Sequence, residues 1–219
     1  MPARPAAGGG RWVDVDPARL PRWLAGFADR HGESSSAVDG AVVRLVGADG
    51  SIAELHSPPG APPPAGLDEL VAAAQQSRRL GLLVARQAAV AVGVAEGDRL
   101  VSSKVDSSYV QGRTAAGGWS QHRFARRREN QAKAAAGVAA DIVARLLLPE
   151  ARRLDAVVTG GDRRAVDAVL SDPRLAPVAA LRAERFLDLP EPRLAVLQQA
   201  VVAARAVRVR IRDAQPAGS

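Results

Sequence analysis

Apolar and polar positions recur with two periods along this chain, and those periods sort it into helices and strands. Over residues 20–30, Leu20, Trp23, Leu24 and Phe27 fall at i, i+3, i+4 and i+7, which predicts a short amphipathic helix with Pro21 in its first turn. Residues 33–36 read as a polar linker. Residues 41–46 and 51–55 are strand-like runs joined through Asp49-Gly50, a hairpin turn signal. Five prolines within residues 57–66 exclude regular structure there. Residues 67–79 then predict a helix with Leu67, Leu70, Val71 and Ala74 on one face. Strands are expected at 81–85, 88–94 and 99–105, the last two joined by Glu96-Gly97-Asp98 in a meander.

After Asp106 the pattern changes. Residues 107–120 are polar and carry Gly112, Gly117 and Gly118, and a long helix follows at 122–148, stopped by Pro149. The rest alternates: strand 155–159, helix 163–170, strand 183–187, helix 192–204 and strand 207–211. Antiparallel strands followed by strand-helix alternation predict a single mixed-sheet α/β domain with helices on both faces. The expected organisation is a disordered leader at 1–10, one domain at 11–214 and a disordered tail at 215–219. No run reaches the roughly 18 apolar residues of a membrane span. The Pro/Ala/Gly-rich start lacks a signal peptide's apolar core, so no membrane partner and a cytoplasmic location are expected.

Composition narrows the chemistry. The apolar fraction is 47% but aromatics are only 3%, so the core must be built mainly from Val, Leu and Ala. With no cysteine, disulfides, thiolate metal sites and cysteine nucleophiles are excluded together. The three histidines, His31, His56 and His122, share no metal-ligand spacing, so no metal or other cofactor is expected. The net charge of +7 and pI of about 11.1 suggest an anionic partner. Yet Lys104 and Lys133 are the only lysines, and arginine excess beside abundant Ala, Gly and Pro is also the mark of a GC-rich genome. Local clustering decides. Residues 111–133 hold Arg113, Arg123, Arg126, Arg127, Arg128 and Lys133 against Glu129 alone, a net +5 in about a tenth of the chain.

This cluster opens the long helix. From Ala132 onward, Ala132, Ala135, Val138, Ala139, Ile142 and Leu146 form an apolar stripe expected to bury against the sheet. Before Ala132 the stripe fails, so that end is expected to project beyond its own core. Its arginines suit bidentate phosphate contact; a solvated charged face is the other reading of the same spacing. Gly117 and Gly118 allow close approach to a partner. Two readings fit Trp119, a base-stacking platform or a lid folded over the loop. The Ser120 hydroxyl is suited to capping the helix. Gln121 has a neutral amide, unable to act as a general base but able to position water or bond a developing oxyanion.

The run Gly117-Gly118-Trp119-Ser120-Gln121-His122-Arg123-Phe124-Ala125-Arg126-Arg127-Arg128 resembles the catalytic-loop segment of the eukaryotic and archaeal peptide-chain release factors. Those carry Gly-Gly-Gln, then Ser, then an Arg-Phe-x-Arg-x-Arg helix. Gly117, Gly118, Ser120, Arg123, Phe124, Arg126 and Arg128 match without a gap. The family's glutamine position holds Trp119, and the nearby glutamine is Gln121, two residues on. That displaced Gly-Gly-x-x-Gln, with the preceding Tyr109-Val-Gln-Gly-Arg-Thr, resembles the actinobacterial branch of the Vms-like release factors. Their eukaryotic relatives act in ribosome quality control on large subunits carrying stalled chains.

The resemblance implies an RNase H-like release-factor catalytic domain that enters the peptidyl-transferase centre of the large subunit. Peptidyl-tRNA would be its substrate and ribosomal RNA its contact. It implies Gln121 as the catalytic glutamine and Arg123, Arg126 and Arg128 as a basic helix facing that RNA. The expected activity is peptidyl-tRNA hydrolysis on stalled complexes. Alternatives are cleavage of the tRNA near its 3′ CCA end, and a ribosome- or RNA-binding rescue factor without chemistry. A metal-dependent nuclease has Asp106 and Asp141 as spare carboxylates but no clustered acidic set. No stop-codon-reading domain is evident.

Overall fold

The computed structural model describes residues 3–86, 89–107 and 121–214, with the backbone alone over 121–131. In chain order its elements are β1 (Arg4–Pro5), β2 (Arg11–Val15), α1 (Leu20–His31), β3 (Ser34–Asp39), β4 (Val42–Gly47), β5 (Ile52–His56), α2 (Leu67–Gln75), β6 (Arg79–Arg86), β7 (Ala89–Glu96), β8 (Arg99–Ser107), α3 (Gln121–Leu146), β9 (Ala156–Gly161), α4 (Arg163–Leu170), α5 (Ala176–Ala179), β10 (Arg182–Leu187), α6 (Leu194–Arg205) and β11 (Val207–Arg212). They form two sheets in two compact units, residues 1–77 with 202–219, and residues 78–201.

In the first unit the described strands run in the order β1-β2-β11-β5-β4-β3, every pairing antiparallel. Strict alternation aims Val43 and Leu45, Ala53 and Leu55, and Val207, Val209 and Ile211 at one face. Leu20 and Phe27 of α1 and Leu70 and Ala74 of α2 close that face into a core. Burying each of the larger side chains contributes about 1.5–3 kcal/mol. Trp23 stacks on Phe27 with ring centroids 5.8 Å apart, so the helical spacing seen in the sequence serves packing.

Two segments differ from their expected state. Residues 33–36, expected as a linker, fall largely in β3, and Arg4–Pro5, within the expected leader, pairs with β2. Both are sheet edges whose side chains are mostly exposed, so neither carries the apolar alternation that marks a strand. The expected single sheet is also corrected to two. β11 returns from the end of the chain to insert between β2 and β5, a pairing too distant in sequence for local periodicity to register.

The second unit carries the mixed sheet, ordered β10-β9-β6-β7-β8. β10, β9 and β6 are parallel, while β6, β7 and β8 form the expected antiparallel meander. β7 is apolar along almost its whole length because both of its faces are covered. Val90, Val92 and Val94 pack with Ala139 and Val143 of α3 and Val166 and Val169 of α4. On the opposite face, a Cβ on Gly93 would lie 3.6 Å from Leu197 of α6. The β7–β8 turn is two residues long, with Gly97 at φ +58°, as such tight hairpins require. Arg79 anchors the start of β6, donating to Glu96 at 2.8 Å and Glu150 at 3.1 Å, while its amide donates to Asp155 at 2.7 Å.

Candidate functional site

The basic, glycine-rich segment leaves β8 at Ser107, which stands opposite Ala89 of β7, and re-enters at Gln121, the first residue of the 26-residue α3. Arg113, Gly117, Gly118, Trp119 and Ser120 lie outside the described residues. Arg123, Arg126, Arg127 and Arg128 occupy the first turns of α3. Lys133 is exposed. Gln121 is the first described residue of this helix.

Burial along α3 is graded. Residues 132–134 are exposed, Ala135 and Ala136 half-buried, and Ala139, Ala140, Ile142 and Val143 buried. Ala139 follows Gln121 by 18 residues, which is about 27 Å of helix axis. The stripe expected from the sequence needs two corrections: Ala132 is exposed, and Val138 is 46% exposed. The buried line runs through 136, 139–140, 143 and 147, rotated away from Val138.

Arg174, in the turn before α5, fastens the middle of this helix. Its Nη2 donates to Asp141 Oδ1 at 2.8 Å and to Asp172 Oδ2 at 2.7 Å. The side-chain hydrogen bond from Arg174, then the bond from its backbone N–H, holds Asp172 below the usual carboxylate range. The same two carboxylates, Asp172 first, push Arg174 further into its charged form. Asp141, a spare carboxylate in the sequence, is thus an ion-pair partner. No group of three His, Asp or Glu side chains among the described residues is placed to hold a metal.

Beside this helix lies a recess of about 220 Å³, lined mainly by alanine and valine, with Ala85, Val90 and Ala139 among them. Asp162 and Arg164 are its charged residues. Asp162 Oδ1 is committed to capping α4, accepting from the amides of Arg164 at 2.7 Å and Ala165 at 3.2 Å. The recess therefore holds apolar surface and a helix cap, with no opposed acid and base among its described residues.

Sequence reading also passed over a second set of arginines. Residues 207–211 were expected as a strand, but the run Val207-Arg-Val-Arg-Ile-Arg212 also places Arg208, Arg210 and Arg212 on one face. That strict alternation was the available signal.

A two-sheet α/β protein with a glycine-rich segment feeding a long arginine-headed helix is the class that fold and site define. The family model described as the Actinobacteria/chloroflexi VLRF1 release factor matches residues 78–210, more than half of the chain, and the chain belongs to that family. No curated protein sequence matches the chain significantly. Similar solved structures include one titled "Archaeal protein", with 18% identity over 86% of this chain and 56% of that one, and a TM-score of 0.40. Another is an archaeal translation termination factor, aRF1, with 15% identity over 88% and 63% and a TM-score of 0.38. The chain spans less than two thirds of either.

Proposed function

We propose that this release factor is a peptidyl-tRNA hydrolase that frees nascent peptides from stalled ribosomal complexes, with Gln121 as its catalytic residue. One observation carries the reading: Gln121 heads a 26-residue helix whose first turns hold Arg123, Arg126, Arg127 and Arg128, in a chain of release-factor family. In this reading Gly117 and Gly118 let the loop thread into the peptidyl-transferase centre of the large subunit. Trp119 and Ser120 shape the loop, and Arg113, the four helix arginines and Lys133 hold ribosomal RNA phosphates.

The ester linking peptide to tRNA is activated, so its hydrolysis needs an oriented water and support for the developing oxyanion. The Gln121 amide supplies orientation, accepting a hydrogen bond from water through its carbonyl oxygen. Its N–H groups favour the developing negative charge. Water adds to the ester carbonyl carbon, the bond to the ribose oxygen breaks, and the products are a free peptide and a tRNA with its 3′ end intact. The RNase H-like catalytic fold, its extent over residues 11–214 and the cytoplasmic location belong to the same proposal.

The test is release of labelled peptide from purified ribosomal complexes carrying peptidyl-tRNA, wild type against Gln121→Ala. Release by wild type alone, leaving deacylated tRNA with an intact CCA end, supports the hydrolase. A shortened tRNA would move the chemistry to 3′-end cleavage. Binding without release by either protein would leave a rescue factor that performs no chemistry.

A further inference from the structure

The sheet of the first unit has a second face, opposite its core. On β11, Arg208, Arg210 and Arg212 alternate with buried Val207, Val209 and Ile211. The register places Arg208 opposite Asp14 and His56, and Arg210 opposite Trp12 and Glu54. Arg4 stands opposite Trp12, and Arg44 opposite Glu54. Five arginines and two aromatic rings thus share this face, and none of the seven is buried.

The rings and one guanidinium form a cluster. Trp12 and His56 lie 5.2 Å apart, and the Arg208 guanidinium sits 4.2 Å from the Trp12 ring centroid. The carboxylates nearby are already committed. Glu54 holds Arg212 at 2.7 Å and Arg210 at 3.7 Å, and Asp14 holds Arg4 at 3.3 Å. Arg210 is further fixed by donating to the carbonyls of Ala7, Gly8 and Gly9. Arg44 is exposed and makes no ion pair among the described residues, although it stands opposite Glu54. The face therefore presents pre-positioned guanidinium groups in excess of its acids, beside two aromatic rings tilted at 57° to one another.

A polyanion with stackable rings complements that arrangement. Indole and guanidinium planes stack on nucleobases, and guanidinium forks pair with phosphates. An acidic protein would use the charge but leave the Trp12–His56 cluster without a role. We propose that this open sheet face is a second RNA-binding surface that takes single-stranded RNA. One base stacks at Trp12 and His56, while Arg44, Arg208 and Arg212 hold the phosphates. The surface belongs to the first unit, whereas Gln121 belongs to the second, and it is independent of the hydrolase reading. Trp12, Arg44 and His56 also precede residue 78, where the family match begins.

The experiment is an anisotropy titration of a labelled oligouridylate with the full chain carrying Arg123→Ala, Arg126→Ala, Arg127→Ala and Arg128→Ala, so that α3 contributes little. In that background, Trp12→Ala is expected to weaken binding about tenfold or more through loss of one stacked base, while Trp12→Phe retains most of it. Arg44→Glu is expected to weaken binding and to lower the slope of its salt dependence by about one phosphate. Arg44 is exposed, so its result stands even if Trp12→Ala fails to fold. Binding unchanged by Arg44→Glu would overturn the proposal, as would a parent that ignores oligouridylate but captures polyglutamate. Neither outcome bears on the hydrolase reading, which is tested separately by peptide release with the helix arginines intact.

Discussion

Arg174 and Asp141 tie the turn before α5 to the middle of α3, their charged groups 2.8 Å apart. Asp172 completes the clasp from the other side of the guanidinium. The first prediction concerns that carboxylate. Its folded-state pKa lies below its ordinary value of 3.8, so the folded protein favours the ionised form more than the unfolded chain does. The stabilisation is therefore fully present above the ordinary value and is lost as pH falls through the lower, folded value. Asp172→Asn keeps the capping oxygen but removes the charge. Thermal melts are expected to show a small deficit for the variant near neutral pH that closes in acid. A deficit that persists in acid would assign the effect to geometry instead of charge.

Gly161 ends β9 with φ +93°, and a Cβ placed on it would lie 2.4 Å from the Ala85 carbonyl oxygen. Both the torsion and the space exclude a side chain, and the obstructing atom is backbone of the adjacent strand β6. Gly161→Ala is expected to cost about 1–3 kcal/mol. Urea denaturation reads this as a lower midpoint with an unchanged slope. A midpoint equal to wild type would show that the β6–β9 junction yields easily.

Local patterning made most of the second unit legible in the sequence. α3 and α4 follow apolar spacing, β6, β7 and β9 are short apolar runs, and Gly97 marks the turn from β7 to β8. What escaped required knowledge of partners. β3 is polar because it is an edge, and β2 and β11 find each other across nearly the whole chain. The arginines of β11 could be read from sequence, but that they share a face with Trp12 and His56 follows only from the register. Val138 shows the same limit on a smaller scale, since spacing defines a stripe and its neighbours decide the edge. The candidate site was legible as a motif because Gly117 to Arg128 is continuous in the chain. Residues 108–120 fall outside the described residues, so the motif and the arginines of α3 carry the proposal.

The arginines at the start of α3 are expected to act through phosphates. Arg126→Ala with Arg127→Ala is predicted to weaken ribosome binding and to reduce the slope of log affinity against log salt by about one for each phosphate no longer held. Lys133→Ala, farther along an exposed stretch of the helix, is the graded comparison. Equal slopes in wild type and the double variant would return these arginines to an ordinary solvated face.

Gln121 tests the chemistry itself. Removing one hydrogen-bonding group at a developing oxyanion costs about 10²–10³ in rate, so Gln121→Ala is predicted to lose release to that extent while ribosome binding stays near wild type. The two-residue displacement sharpens the test. Gln121 is the first described residue of α3, and the family's glutamine position is Trp119, two residues earlier in the chain. An amide moved to position 119 would stand two residues away from the position that the proposal gives to the water-orienting group. Trp119→Gln combined with Gln121→Ala is therefore expected to remain inactive. If that double variant releases peptide as well as wild type, the position of the glutamine within the motif is immaterial. If Gln121→Ala alone releases normally, the catalytic role of Gln121 is lost altogether.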